Sequence, residues 1–181
     1  DLLGLDTTAK IQIHVGGVYR DKLRSINRFV SRFQYLEENL RRRLVIENDD
    51  NRYNLKDCIQ IHNITGIPVL FDSFHHKTNN YGETLPEAFK LFTRTWKKKD
   101  GLPMVDYSSQ LSGKKKGKHA ETLDLEHFKN FLHLTSLFNY DLMLEIKDKE
   151  QSALKAIEIA TQTEIKHLLS ETMSVNYDKR H

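Results

Sequence analysis

Apolar positions follow two alternating rhythms along the chain. KIQIHVGG (10–17) alternates apolar and polar side chains and then meets two glycines, which predicts a strand and a turn. Over 21–43, Leu23, Ile26, Phe29, Val30, Phe33, Leu36 and Leu40 recur at three- and four-residue spacing, as in an amphipathic helix. Arg41, Arg42 and Arg43 close it at the negative end of the helix dipole. LVIEN (44–48) reads as a short buried strand, and a helix is expected over 55–64, with Asn54 as N-cap and Gly66 just past its end. IPVLFD (67–72) is the next strand. A long polar segment then leads to a helix over 85–96 that carries Pro86 in its first turn. LPMVDYSS (102–109) is a strand, and a glycine- and lysine-rich loop runs from it to His119. A helix over 124–137, a strand YDLMLEIK (140–147) and a helix over 150–174 complete the pattern, with a frayed tail. Five apolar strands alternating with helices call for an α/β fold with a parallel sheet covered by helices. An open doubly wound sheet and a (β/α)8 barrel both fit this order, but no GxGxxG or P-loop sequence supports the former. Neither an internal repeat nor a linker divides the chain.

The polar residues that end these strands change the picture. The first strand ends near His14, the second on Glu47, the third on Asp72 with His75 and His76 behind it. The fourth carries Asp106, with His119 in the loop beyond, and the fifth carries Glu145, followed by Lys147, Asp148 and Lys149. In a parallel α/β protein these ends converge on one face, where active sites sit. Mixed imidazole and carboxylate donors without thiolate suit Mn²⁺, Zn²⁺ or Fe²⁺, and carboxylates able to bridge favour more than one ion. Such a site points to hydrolysis, most often of a phosphate ester. His62, His127, His133 and His167 fall inside expected helices and read as surface or packing residues. Trp96 closes a helix face with Phe89 and Phe92 and reads as core. His76 reads as a group behind the ligands or on the substrate side, and Tyr19, after the glycine turn, as a substrate contact.

Composition sets limits on this reading. With 181 residues, 38% of them hydrophobic, the chain can bury one core. No stretch approaches ~18 consecutive apolar residues, so no transmembrane helix is expected, and no signal peptide is visible. Cys58 is the single cysteine; without an intrachain partner it points to a reducing, intracellular location. A net charge of +3 is compatible with nucleic-acid binding. That charge is concentrated in Lys97, Lys98 and Lys99 and in Lys114, Lys115, Lys116 and Lys118. Such runs are solvated loops by default and phosphate contacts if the substrate is DNA.

Five motifs, in order over nearly the whole chain, carry a resemblance: IHVGGVYRDK, LVIENDD, VLFDSFHH, DYSSQ with a following KHA, and LMLEIKDKE. Together they resemble the UV damage endonuclease (UvdE) family. The resemblance implies a TIM barrel and a cluster of divalent ions, manganese first, with Zn²⁺ or Mg²⁺ as alternatives. It also implies incision of double-stranded DNA on the 5′ side of UV photoproducts. The implied metal ligands are His14, Glu47, Asp72, His75, His119 and Glu145, with Glu47 and Glu145 bridging ions in a catalytic role. Lys147, also catalytic, and Lys149 would face phosphate. Lys114, Lys115, Lys116, Lys118 and Tyr19 would meet the DNA.

Two departures stand out. Where the family reads Lys-x-His-x-Ser, this chain has Met104-Val105-Asp106-Tyr107-Ser108. Asp106 can keep a ligand's role as an oxygen donor, whereas Met104 cannot supply what a lysine does. A TIM barrel also needs roughly 250 residues, and the five strands here correspond to strands four to eight. One partial TIM-barrel domain over 1–181 is therefore expected, without the N-terminal barrel strands. It is completed by an upstream part or a second copy, or it is an expressed fragment. The expected setting is cytoplasmic in a bacterium or archaeon, or nuclear in a eukaryote, with no membrane partner and the oligomeric state open. The rival readings are a metal-dependent TIM-barrel sugar isomerase or epimerase and a catalytically impaired DNA-binding fragment.

Overall fold

A computed structural model of the protein describes residues 3–163. Five strands, β1 (Ile11–His14), β2 (Leu44–Glu47), β3 (Val69–Asp72), β4 (Met104–Tyr107) and β5 (Asp141–Leu144), form one sheet in the order β1-β2-β3-β4-β5. Every neighbouring pair is parallel. The helices are α1 (Lys22–Tyr35), α2 (Glu38–Arg41), α3 (Leu55–Thr65), α4 (Ser73–Thr78), α5 (Leu85–Phe92) and α6 (Leu125–Thr135), with α7 helical over 150–163. A doubly wound sheet reverses strand order at a switch point. Strictly sequential order has no such reversal and is the order of a barrel. Among the described residues the sheet is not closed, so the architecture is α/β and barrel-like in part.

Register assigns the two faces. His14 pairs with Glu47, Glu47 with Leu70, Asp72 with Asp106 and Asp106 with Met143. Because side chains alternate along a strand, Gln12, His14, Val45, Glu47, Leu70, Asp72, Met104 and Asp106 share one face. The opposite face packs against the helices through Ile46, Val69, Phe71, Val105 and Tyr107, all at most 1% exposed. Phe71 stacks on Phe92 with ring centroids 5.0 Å apart, and Tyr107 meets Phe128 and Phe131 at 5.0 and 4.8 Å. The inner strands β2 and β3 are buried throughout, whereas the edge strands leave Ile11 47% and Met143 49% exposed.

Local chemistry sets the helix ends. Asn54 and Asp57 form a reciprocal capping box at α3, whose C-cap Gly66 takes the left-handed conformation (φ 75°). At α5, Glu87 reaches back and accepts both the Thr84 N–H and the Thr84 hydroxyl, each at 2.8 Å. The helix expected over 21–43 divides instead. Leu36 turns to ψ 149° and packs partly buried against the core, so α1 stops at Tyr35 and Leu40 belongs to the separate turn α2. The helix expected over 85–96 ends at Phe92 and continues as a 3₁₀ turn, Thr93–Thr95. There the Thr95 hydroxyl donates to the Phe92 carbonyl and accepts the Val69 N–H, competing with the helix ladder. The polar segment after β3 contains α4, which starts directly off the strand because Asp72 accepts the N–H groups of Phe74 and His75. Of the final helix expected over 150–174, residues beyond 163, including His167, lie outside the described residues.

The amino end of the sheet is closed by charge. The Lys10 ammonium, fully buried, sits 2.7 Å from Asp100 and 5.9 Å from the Trp96 ring.

Candidate metal centre

The carboxyl end of the sheet is the reverse. Glu47, Asp72 and Asp106 are at most 2% exposed. Glu47 and Asp72 gather round His75, whose Nδ1 lies 3.2 Å from a carboxylate oxygen of each and 3.0 Å from the Asn48 carbonyl oxygen. The turn of α4 swings His75 back over β3, and Asn48 holds that corner by donating to the Asp72 carbonyl and accepting the Asp72 N–H. Glu47, Asp72 and His75 offer ligand atoms all within 4.8 Å of one another, a geometry able to hold a metal ion. His14, half exposed, approaches Glu47 at 3.4 Å. His119 sits 3.8 Å from a Glu145 carboxylate oxygen, and its ring packs on Phe74 at 4.8 Å and lies 6.2 Å from the His75 ring. Glu145 falls just past β5, so its position follows from the strand end rather than the strand.

Electrostatics make the cluster expensive without a cation. Burial, reinforced by Glu47 and Glu145 but opposed by His75, pushes Asp72 up to about 6. Burial, with the charges of Glu145, Glu47 and Asp72, pushes Asp106 up to about 7. Burial works against the charged form of His75, yet Glu47, Asp72 and the Asn48 carbonyl override it and hold its imidazolium up to about 9. One partly buried imidazole therefore faces several carboxylates. The Asp106 Oδ1 is buried with no hydrogen-bond partner. An orphaned carboxylate oxygen beside like charges, among hard oxygen and imidazole donors, fits a divalent ion.

A residue that sequence reasoning passed over completes the picture. The Gln12 amide donates to Glu47 at 2.5 Å and to Asp106 at 2.8 Å, tying β1 to β2 and β4. Its signal was available, because Gln12 lies two positions before His14 and therefore on the same face. His76 is buried against Phe71 and faces Glu83 at 3.4 Å rather than the cluster. His62 meets the Ile67 carbonyl, His127 the Tyr107 hydroxyl and His133 is exposed, all as packing or surface residues. Trp96 is core, its indole N–H donating to the Val69 carbonyl.

The basic residues separate by topology. Lys97, Lys98 and Lys99 precede β4 and so lie at the amino end of the sheet, opposite the cluster, a place that favours the solvated-loop reading of the two left open for them. Lys114, Lys115, Lys116 and Lys118 follow β4 and lie on the cluster's side, all exposed. Lys147 pairs with exposed Glu121 at 3.2 Å rather than with the cluster, and Lys149 has a left-handed backbone (φ 47°). Tyr19, 77% exposed and also left-handed (φ 47°), lies against the Arg28 guanidinium at 5.1 Å.

Comparison with known proteins agrees with the geometry. Residues 1–178 match the sequence model of UV-endonuclease UvdE. The chain is 39% identical over 161 residues to a UV DNA damage endonuclease of Clostridium perfringens, covering 87% of this chain and 39% of that protein. It is 36% identical over 174 residues to one of Bacillus mycoides, covering 94% and 55%. The crystal structure of SacUVDE superposes with a TM-score of 0.81 at 48% identity, covering 86% of this chain and 52% of the other. The chain thus spans about half the length, or less, of the relatives it matches.

Proposed function

The chain belongs to the UV-endonuclease UvdE family, and on that premise we propose that it carries the metal-binding half of an endonuclease that cuts DNA 5′ to UV photoproducts. The observation that supports this most is the buried, unpartnered Asp106 oxygen beside Glu47 and Asp72, on the interior face of a barrel-like sheet. Glu47, Asp72 and His75 would hold one divalent ion, manganese first. Asp106, His119, Glu145 and His14 would supply donors for further ions, with Glu47 and Glu145 contributing carboxylate oxygens. Bound ions supply Lewis-acid stabilisation of charge developing on phosphate oxygens and make water a better nucleophile at neutral pH.

The chain's own residues do the rest. Burial of the acids keeps competing water away and strengthens each charge interaction. Gln12 fixes the Glu47 and Asp106 carboxylates by its two hydrogen bonds. His75 must give up its imidazolium proton for a ring nitrogen to become a ligand. Lys147 can leave Glu121 for a phosphate, since an exposed ion pair contributes only about 0–1 kcal/mol. Lys149 and Tyr19 are proposed as further DNA contacts on the same side.

The test is incision of UV-irradiated duplex by the purified chain with MnCl2, with chelator as control, alongside calorimetric titration of the metal. Cuts on the 5′ side of photoproducts that need Mn²⁺ are expected. Failure to bind Mn²⁺ contradicts the reading. Binding without incision limits this chain to the metal-holding part of the activity.

A further inference from the structure

The loop that carries four lysines is built around one side chain. Gln110 donates its amide N–H groups to the carbonyls of Leu111, Lys114 and Lys115, at 3.0, 3.4 and 3.1 Å. Its amide oxygen accepts the Gly117 N–H at 2.9 Å. Backbone bonds close the same loop: Leu111 N–H to Lys118 carbonyl at 2.8 Å, and an isolated antiparallel bridge between Gln110 and His119. Gly113 and Gly117 take left-handed turns (φ 68° and 85°). The loop is also tied sideways, where the Lys116 ammonium donates to the Thr78 carbonyl at the end of α4.

This arrangement differs from a solvated lysine run. Four ammonium groups within five positions repel one another, and a free segment of that charge extends. Here the loop's inward-facing carbonyls are tied to a single neutral amide, and the lysines remain exposed without an ion pair among the described residues. The loop also ends on His119, beside Phe74 and Glu145. Its position is thereby set relative to the carboxylate cluster. A basic surface fixed beside a phosphodiester-cleaving site complements the evenly spaced phosphates of duplex DNA, and prior ordering lowers the entropic cost of binding.

We infer that Gln110 is a positioning residue that latches the 111–118 loop into a platform for the DNA backbone and so sets how DNA lies over the cluster. The inference rests on the nuclease reading for its ligand, but the ordering itself does not depend on DNA. Two readouts test it on the full chain: duplex affinity measured across a salt series, and the rate of limited trypsin cleavage after Lys114, Lys115, Lys116 and Lys118. Gln110→Ala is expected to speed cleavage in the loop by about 10-fold or more and to flatten the salt slope by at least about 1, the loss of roughly one phosphate contact. Gln110→Glu keeps the shape but sets a carboxylate against three carbonyls, so its cleavage should rise as in Gln110→Ala. The double variant Lys114→Ala/Lys115→Ala should flatten the slope by about 2 while leaving cleavage at the remaining lysines slow. Wild-type cleavage and slope in Gln110→Ala overturn the latch. Absence of wild-type duplex binding overturns both the platform and the nuclease reading. Salt-sensitive wild-type binding whose slope is unchanged in Gln110→Ala overturns the platform alone.

Discussion

At the amino end of the sheet, Lys10 and Asp100 lie 2.7 Å apart and both are buried, each charge answered by the other. At the carboxyl end, Glu47, Asp72 and Asp106 are equally buried, but the side chains that meet them are the His75 and His14 imidazoles and the neutral Gln12 amide, with two backbone N–H groups on Asp72. Both ends take charge out of water, which costs several kcal/mol per ion unless compensated. The first end completes its compensation within the chain. The second leaves a carboxylate oxygen orphaned, and burial pushes Asp72 and Asp106 up to about 6 and about 7. Charge is paired at one end of the strands and left partly unpaired at the other, the end where parallel barrels generally carry their sites.

Breaking the closed end should have the largest effect. Lys10→Met leaves Asp100 buried and unpaired and should cost about 3–5 kcal/mol in urea denaturation, with Mn²⁺ affinity of the folded fraction unchanged. At the open end, Glu47→Gln should do the opposite. Its stability in chelator should match or exceed wild type, while calorimetry should show Mn²⁺ affinity falling by more than the ~10–100-fold typical of an outer partner.

The pH response sharpens the contrast. Asp72 and Asp106 bind protons more tightly folded than unfolded, so the stability they contribute is full below about pH 4 and is lost as pH rises through about 6 and 7. His75 is raised in the same sense. Its contribution is full below about 6.5 and is lost as pH rises through about 9. Metal-free protein should therefore lose stability from mild acid toward alkaline pH, followed by denaturant midpoints. Mn²⁺ affinity should rise over the same range with release of protons. Gln12→Leu removes the amide that fixes two carboxylates and should weaken Mn²⁺ binding by about 10-fold. The smallest effect is expected from Lys115→Ala, which should reduce the salt slope of duplex binding by about 1.

Much of this was legible in the chain. Alternation, apolar runs and turn residues placed all five strands, and the coincidence of His14, Glu47, Asp72, Asp106 and Glu145 at their ends pointed to the rim where Glu47, Asp72 and His75 gather within 4.8 Å. What escaped depended on contacts between distant segments. Leu40 keeps helical spacing, yet the chain turns at Leu36 because Leu36 has a core to pack against. Helix α4 is six residues long and is launched by Asp72, so its polar composition resembles a loop. Gln12 matters only because register sets it between Glu47 and Asp106. Lys97, Lys98 and Lys99 match the other lysine run in composition, and only their place before β4 sends them to the opposite end of the sheet.

The most direct test of the open end is thermal unfolding of wild type and Asp106→Asn, each with chelator and with MnCl2 at about 100 times the dissociation constant. Wild type should gain about 2.7 kcal/mol from the metal. Asp106→Asn should melt at or above wild type in chelator and gain clearly less from Mn²⁺. A wild-type transition that Mn²⁺ does not move, or an Asp106→Asn protein that is weaker in chelator yet takes the full gain, would contradict the assignment of this end of the sheet to a divalent metal.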